Sequence, residues 1–259
     1  MNYTSTVLQA KNISVQFTTE KGCVQAVKDI SIEVHKGKIT GQSGSGKSAT
    51  AMAIAGILDS NGTMTSGQIY LQNQDINKLK GKSLRTYRGK HLGMIFQEPM
   101  ESLNPLLKIG EQIYQTLRLT QKLNKKQAKQ KSIALLKQVG LPEPRNILKK
   151  YPFELSGGMC QRVMIAIAIC LKPTLLIADE PTTALDVTIQ CQILQQIQHM
   201  CKEYNMGVLF ITHDLGIVAE IADDVYVMHH GEIVEHNDVF SLFSEPKHPY
   251  TKELLNSIL

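Results

Sequence analysis

Four stretches of this 259-residue chain hold residues whose types and spacing could do chemistry. The first, Gly41-Gln42-Ser43-Gly44-Ser45-Gly46-Lys47-Ser48, fits G-x-x-x-x-G-K-[ST], the pattern of a phosphate-binding loop. Its glycines let the backbone curl so that successive N–H groups face phosphate oxygens, and the helix read from Ala49 to Leu58 adds the positive end of its dipole. Lys47 would reach the β- and γ-phosphates, and the Ser48 hydroxyl would bind Mg²⁺. A Gly/Ser linker fits less well, because a linker would not run straight into the apolar helix Ala51-Met52-Ala53-Ile54-Ala55. The second stretch, Thr174-Leu175-Leu176-Ile177-Ala178-Asp179-Glu180-Pro181, is an apolar run ending in two carboxylates. Such a run suits the middle of a parallel sheet, at whose carboxyl edge ligands bind, so Asp179 is placed to hold Mg²⁺ and Glu180 to face an attacking water. The third is a pair of strand ends: Gln97 follows Leu92–Phe96 and His213 follows Val208–Thr212, which brings both to that same edge. The fourth, Leu155-Ser156-Gly157-Gly158-Met159, opens an apolar helix at Val163–Leu171. An N-cap serine and two glycines leave free N–H groups, a second potential phosphate site, although a plain capped turn explains the same residues.

The elements that must position these residues alternate between strands and helices. Leu8–Phe17 and Val24–Val34 read as strands and open the chain with an antiparallel element. Phe17 ends the first of them, where its ring could stack on an adenine or serve equally as a core aromatic. Gly67–Leu71 reads as a strand and Leu79–Arg88 as a helix. Between Glu98 and Leu155 the character changes: Pro99 and Pro105 punctuate the chain, and helical periods follow at Ile109–Leu119 and Gln127–Val139. This divides the chain into an α/β core (1–97 and 156–259) and an inserted helical subdomain (98–155). In the second helix Ile133, Leu135, Leu136 and Val139 form an apolar face, with Lys125, Lys126, Lys129 and Lys131 on the other, as in ordinary amphipathic packing. Ile189–Tyr204 reads as another helix, and Val225–Met228 with Glu232–Glu235 as a hairpin around His229-His230-Gly231.

Composition bounds the function classes. No apolar run approaches a membrane span and the N-terminus lacks a signal-peptide pattern, which points to a cytoplasmic protein. The five cysteines are odd in number and lack C-x-x-C spacing, so neither a disulfide framework nor a zinc site is expected. A net charge of +5, with the basic residues scattered, argues weakly for nucleic acid and more for solvated faces.

The order of these motifs, together with Asp186 in Ala184-Leu185-Asp186-Val187, resembles the nucleotide-binding subunit of ATP-binding cassette (ABC) transporters over nearly the whole chain. Ser102-Leu103-Asn104-Pro105, the LSGGM variant, Thr182–Gln190 and the tail Lys247-His248-Pro249-Tyr250-Thr251 are similar to the peptide/nickel importers of that family, the short C-terminus being more like the nickel or metallophore type. The resemblance implies a P-loop NTPase fold with a mostly parallel core sheet, an antiparallel β element and a helical insert, and an ATPase using ATP and Mg²⁺. It implies that Phe17 stacks on adenine, residues from Gly41 to Ala49 hold the phosphates, and Gln97 and Asp179 touch Mg²⁺. Glu180 would polarise water and His213 contact the γ-phosphate. Ser156, Gly157, Gly158 and Asp186 would belong to ATP sites completed when two cassettes meet. It further implies a second, related but distinct ATPase chain, two transmembrane permease subunits docked near Pro99–Pro105, an extracytoplasmic substrate-binding protein, no nucleic acid, and a peripheral place on the cytoplasmic face of the membrane. A non-transport ATPase of the superfamily and a catalytically impaired regulatory subunit are the alternatives.

One departure accompanies the resemblance. Only Ile39 is apolar between Gly37 and Gly41, about three residues fewer than the family pattern, which shortens the strand's reach by roughly 10 Å. Either Val34–Lys38 is drawn into the sheet or the loop sits low and its N–H groups miss the phosphates, and ATP affinity and stability are then both reduced.

Overall fold

The computed structural model describes residues 6–118, 123–183 and 185–256; Leu119, Lys122 and Ala184 lie outside them. In chain order the elements are β1 (Thr6–Thr19), β2 (Gly22–His35), β3 (Ile39–Gly44), α1 (Lys47–Ala55), β4 (Gly62–Leu71), β5 (Gln74–Asp75), α2 (Gly81–His91) and β6 (Leu92–Ile95). There follow α3 (Pro99–Ser102), α4 (Ile109–Arg118), α5 (Lys125–Gln138), α6 (Pro144–Ile147) and α7 (Gly157–Ile169). The chain continues through β7 (Leu175–Asp179), α8 (Val187–Tyr204), β8 (Gly207–Ile211), α9 (Leu215–Ile221), β9 (Asp224–His229), β10 (Glu232–Asp238), α10 (Val239–Ser244) and α11 (Pro249–Asn256).

Two sheets organise them. One is antiparallel with strand order β2-β1-β4-β5, and the other runs β10-β9-β3-β8-β7-β6, parallel except for the edge strand β10. The apolar runs of β7 and β8 explain the layering. Leu176, Ala178, Val208 and Phe210 point into a core shared with α4, α5, α7 and α8, whereas Leu175, Ile177, Leu209 and Ile211 point into a core shared with α1 and the antiparallel sheet. Alternate residues of one strand thus feed opposite cores, as a strand covered on both faces requires.

Helix α1 begins two residues earlier than the apolar pattern suggests and stops at Gly56, which adopts φ 63° and donates to Ala53 O. A left-handed residue of this kind ends a helix at little cost when it is glycine. Arg88 of α2 then caps the last carbonyls of this helix end: Nη1 donates to Ala55 O and, at 2.6 Å, to Gly56 O. Burial pulls the Arg88 pKa below its ordinary value.

Strand β3 differs from the expectation. Of Val34–Lys38 only Lys38 reaches the parallel sheet, its carbonyl accepting from Val208 N–H at 2.9 Å, since β2 ends at His35 and the chain turns before Ile39. Instead Gly41, Gln42, Ser43 and Gly44, expected as the first half of the phosphate loop, form the last four of the strand's six residues. They pair with Phe210 and Ile211 on one side and with Val225 to Met228 on the other. A central strand of only Ile39 and Thr40 would leave β8 and β9 without a neighbour along most of their length, and the next four residues supply it. The fit is close at the far end, where a Cβ on Gly44 would stand 1.6 Å from the Met228 carbonyl oxygen.

Candidate active site

Gln42, Ile211 and Asp179 stand at one level across β3, β8 and β7, which marks the carboxyl edge of the parallel sheet. The residues just beyond that edge make the site. Lys47 is the first residue of α1, Glu180 follows β7, and His213 lies two residues past β8. Lys47 Nζ is 3.3 Å from Glu180 Oε1, and His213 Nδ1 is 2.9 Å from Glu180 Oε2. Thr183 Oγ1 donates to that same Oε2 at 2.8 Å. The Glu180 carboxylate is thus held on both oxygens between two potential cations and a hydroxyl. Burial by itself would raise its pKa, but the hydrogen bonds from His213 and Thr183 and the charge of Lys47 outweigh burial and bring it below the ordinary glutamate value.

Glu180 also has φ 46°, in the left-handed region that a residue with a Cβ rarely occupies. Its N–H donates to Ile211 O at 2.8 Å, which ties the strained turn to the neighbouring strand. Such strain costs about 1–3 kcal/mol and persists only where surrounding contacts fix it.

Asp179 is buried at the last position of β7, and Ser48 Oγ donates to its Oδ1 at 3.3 Å. Here burial prevails and the carboxyl pKa is raised. A buried carboxylate beside a hydroxyl, with desolvation unrelieved, is a donor set that a hard divalent cation would satisfy.

The phosphate loop is reduced to Ser45 and Gly46. Gly46 adopts φ 100° as the residue before α1, and the Ser45 hydroxyl accepts from His230 N–H at 2.7 Å, so the turn of the β9–β10 hairpin closes over it. Gln42 and Ser43 are buried rather than facing the site. The side chain of Gln42 meets Met228 Sδ through Nε2, and its Oε1 has no hydrogen-bond partner; the same is true of Thr40 Oγ1.

The other expected residues are spread around this centre. Gln97 is exposed beyond β6. Phe17 is half-buried on β1, its ring against Gly62, where a Cβ would stand 2.7 Å away. Ser156 caps α7 by accepting from Met159 N–H, and a Cβ on the exposed Gly157 would meet nothing. Asp186 is exposed and caps α8, accepting from Ile189 N–H at 3.0 Å. The structure therefore brings Lys47, Ser48, Asp179, Glu180 and His213 together and leaves Ser156, Gly157 and Asp186 on open surface, with Gly158 half-buried against Ile189. Two residues that sequence reasoning did not single out support the centre. Thr183 follows Glu180 by one turn, and Gln161 of α7 donates through Nε2 to Pro181 O, tying α7 to the Glu180 turn. The Thr182-Thr183 pair after Glu180-Pro181 was the available signal for the first.

A family model described as "ABC transporter" matches residues 27–183. The chain is 47% identical over 258 residues to the oligopeptide transport ATP-binding protein AppD of Bacillus subtilis, covering 98% of this chain and 79% of that one. It is 48% identical over 254 residues to the oligopeptide transport ATP-binding protein OppD of Lactococcus lactis subsp. cremoris (97% and 75% covered). It is 47% identical over 261 residues to the glutathione import ATP-binding protein GsiA of Pectobacterium atrosepticum (97% and 42% covered). Among solved structures it is similar to the dimeric post-hydrolysis state of the ATP-binding cassette MJ0796 bound to ADP and Pi, with TM-score 0.80, 26% identity, and 90% and 98% of the two chains covered. It is similar also to cbiO1 of Clostridium perfringens, with TM-score 0.77. Sequence and fold agree with the arrangement of Lys47, Asp179, Glu180 and His213 at one sheet edge, and the chain belongs to the ABC transporter family as an ATP-binding subunit with ATPase activity.

Proposed function

We propose that this chain powers an importer of short peptides, the substrate class named for AppD and OppD. The observation that carries this reading is an identity near one half, sustained over almost the entire chain, to ATPases named for peptide uptake. Nickel, suggested by length alone, is the weaker cargo. Deleting the gene and measuring uptake of labelled di- and oligopeptides against uptake of labelled nickel tests it. Loss of nickel uptake with peptide uptake intact would overturn it.

Within the site, Lys47 and the start of α1, through Ser48 and Ala49, take the phosphates, and Phe17 takes the adenine. Glu180, oriented by Thr183, directs a water, and His213 contacts the terminal phosphate. Ser48, Asp179 and Gln97 would hold Mg²⁺, which when bound offsets phosphate charge. Lys47 must exchange Glu180 for phosphate as ATP enters, which frees one oxygen of Glu180 for a water. The Ser156–Gly158 start of α7, exposed at Ser156 and Gly157, serves the ATP of a second cassette, and dimerisation then completes both sites. The groove of about 370 Å³ between sheet and helical insert, lined by Arg85, Phe96, Leu103, Leu107, Gln112 and Met164, receives a transmembrane subunit at the membrane surface. Exposed Leu106 and Met100 stand in the same region of the insert.

A specific observation favours a second reading. With the amides of Gly41–Gly44 committed to β3, this chain holds its own nucleotide weakly, and the assembly turns over ATP chiefly where the other chain's loop meets Ser156. Reconstituted with its second cassette, the complex would then tolerate Glu180→Gln but not Ser156→Arg. The first reading expects both to stop turnover.

A further inference from the structure

The helical insert contains a cavity that the ATP chemistry does not use. It measures about 470 Å³ and opens between the start of α4, the first turns of α5 and the chain around α6. Five cations line it, namely Lys108, Lys125, Lys129, Arg145 and Lys149, against one carboxylate, Glu111. That carboxylate is already engaged, its Oε2 accepting from Lys108 N–H at 3.1 Å. Among the described residues, Lys125, Lys129, Arg145 and Lys149 form no ion pair, and Lys108 Nζ is spent only on the Tyr151 ring at 5.7 Å. The formal charge of the whole chain is +5, so one cavity gathers almost all of its positive excess.

A run of lysines on a helix ordinarily marks a solvated face, and α5 alone reads that way. Lys108, Arg145 and Lys149 change this, because they come from segments on either side of α5 and meet its lysines around one hollow. The floor is apolar, formed by Gly110, Ala128 and Leu148 with the half-buried Tyr114. Like charges gathered around a concave wall with an apolar floor focus a positive potential inward, and an anion of several charges relieves their mutual repulsion. Phosphate groups match that need. Each offers several acceptor oxygens to lysines approaching from different directions, and the Arg145 guanidinium can take two oxygens side by side.

We propose that this cavity is a second anion site, which binds phosphate groups presented close together, in one polyphosphate molecule or on an anionic lipid surface, and is separate from the nucleotide site at Lys47. The phosphates could be carried by a soluble molecule or presented by anionic lipid headgroups, and the chemistry of recognition is common to both. Titration calorimetry of the full chain with tripolyphosphate, on wild type, Lys47→Ala, Lys129→Glu/Arg145→Glu and the remote charge control Lys82→Glu, tests the site. Binding should persist in Lys47→Ala, fall at least about tenfold in the double variant, and be unchanged in Lys82→Glu. The neutral pair Lys129→Gln/Arg145→Gln, checked for an unaltered melting temperature, guards against loss of fold. Sedimentation with phosphatidylcholine vesicles, with and without phosphatidylglycerol, identifies the source. Capture that needs phosphatidylglycerol and is lost in the double variant, without tripolyphosphate binding, assigns the site to lipid. Absence of both kinds of binding, confinement of tripolyphosphate binding to proteins that keep Lys47, or equal loss in Lys82→Glu would overturn the proposal.

Discussion

Strands β3 and β7 stand two places apart in the parallel sheet, with β8 between them, and both deliver functional residues to its carboxyl edge. In β7 four apolar residues, Leu175 to Ala178, fill the buried length before Asp179, so the site begins where the strand stops. In β3 only Ile39 is apolar, and the strand reaches comparable length by taking in Gly41–Gly44. The consequence is visible in the hydrogen bonding: Thr40 Oγ1 and Gln42 Oε1 are buried without partners. Each such group costs about 1–3 kcal/mol. A site at a sheet edge thus depends on an apolar stretch long enough to carry it there, and when that stretch is short the sheet takes residues from the site.

The largest expected effect tests the intact side of this comparison. Glu180→Gln should lower ATP turnover by at least about a hundredfold while leaving nucleotide binding unchanged, because the carboxylate that Lys47, His213 and Thr183 hold in place is lost but its shape is kept. Single-turnover hydrolysis and equilibrium binding measure the two quantities; turnover near wild type would mean that the β7 edge is not where the chemistry is done. Ser156→Arg should come next, suppressing turnover by more than about tenfold with little change in ATP binding by the isolated chain. If turnover per chain stays independent of protein concentration, and Ser156→Arg is active, the shared site is wrong.

Three apolar residues inserted after Thr40 address the β3 side directly. They should release Gly41–Gly44 to the loop, tighten ATP binding by about tenfold and raise the melting temperature by about 5 °C. Equal affinity and melting temperature for the two proteins would show that the shortened strand is fully accommodated. Asp179→Asn separates folding from function. Burial raises the Asp179 pKa, so its ionised form opposes folding at neutral pH, and that penalty fades as pH falls toward the ordinary value of 3.8. The variant should therefore melt higher than wild type at neutral pH in the absence of nucleotide, with the gain shrinking in acid, while losing the stabilisation that Mg²⁺ and ATP together confer. Thr40→Val should have the smallest effect, a rise of about 2–4 °C from removing one unpaired buried hydroxyl. A fall would mean that Thr40 finds a partner in solution.

Most of the architecture could be read from residue patterns because each apolar run agrees with its surroundings. The runs at Leu175–Ala178 and Val208–Ile211 announce two-sided burial, and the polar residues after them announce the edge. The shortage before Gly41 was legible too, but its resolution was not. A glycine-rich stretch is compatible with both loop and strand, and the demand of β8 and β9 for a neighbour decides between them only in three dimensions. The left-handed backbone of Glu180, the Thr183 hydroxyl on its carboxylate and the meeting of Lys108, Arg145 and Lys149 around α5 likewise arise from contacts between distant segments. No local periodicity encodes them.

The bond from Arg88 to the last carbonyls of α1 has a mechanical consequence. The helix that starts at Lys47 is fastened at its far end to α2, which runs directly into β6, the strand that leads to Gln97, and carries Arg85 into the wall of the 370 Å³ groove. Displacement of α1 along its axis therefore bears on a second rod, which one turn away, at Arg85, forms part of the groove wall. Arg88→Ala would cut that fastening while leaving both ends chemically whole. Loss of coupling between nucleotide and groove, with ATP binding kept, is the signature of a transmission that runs through a single guanidinium.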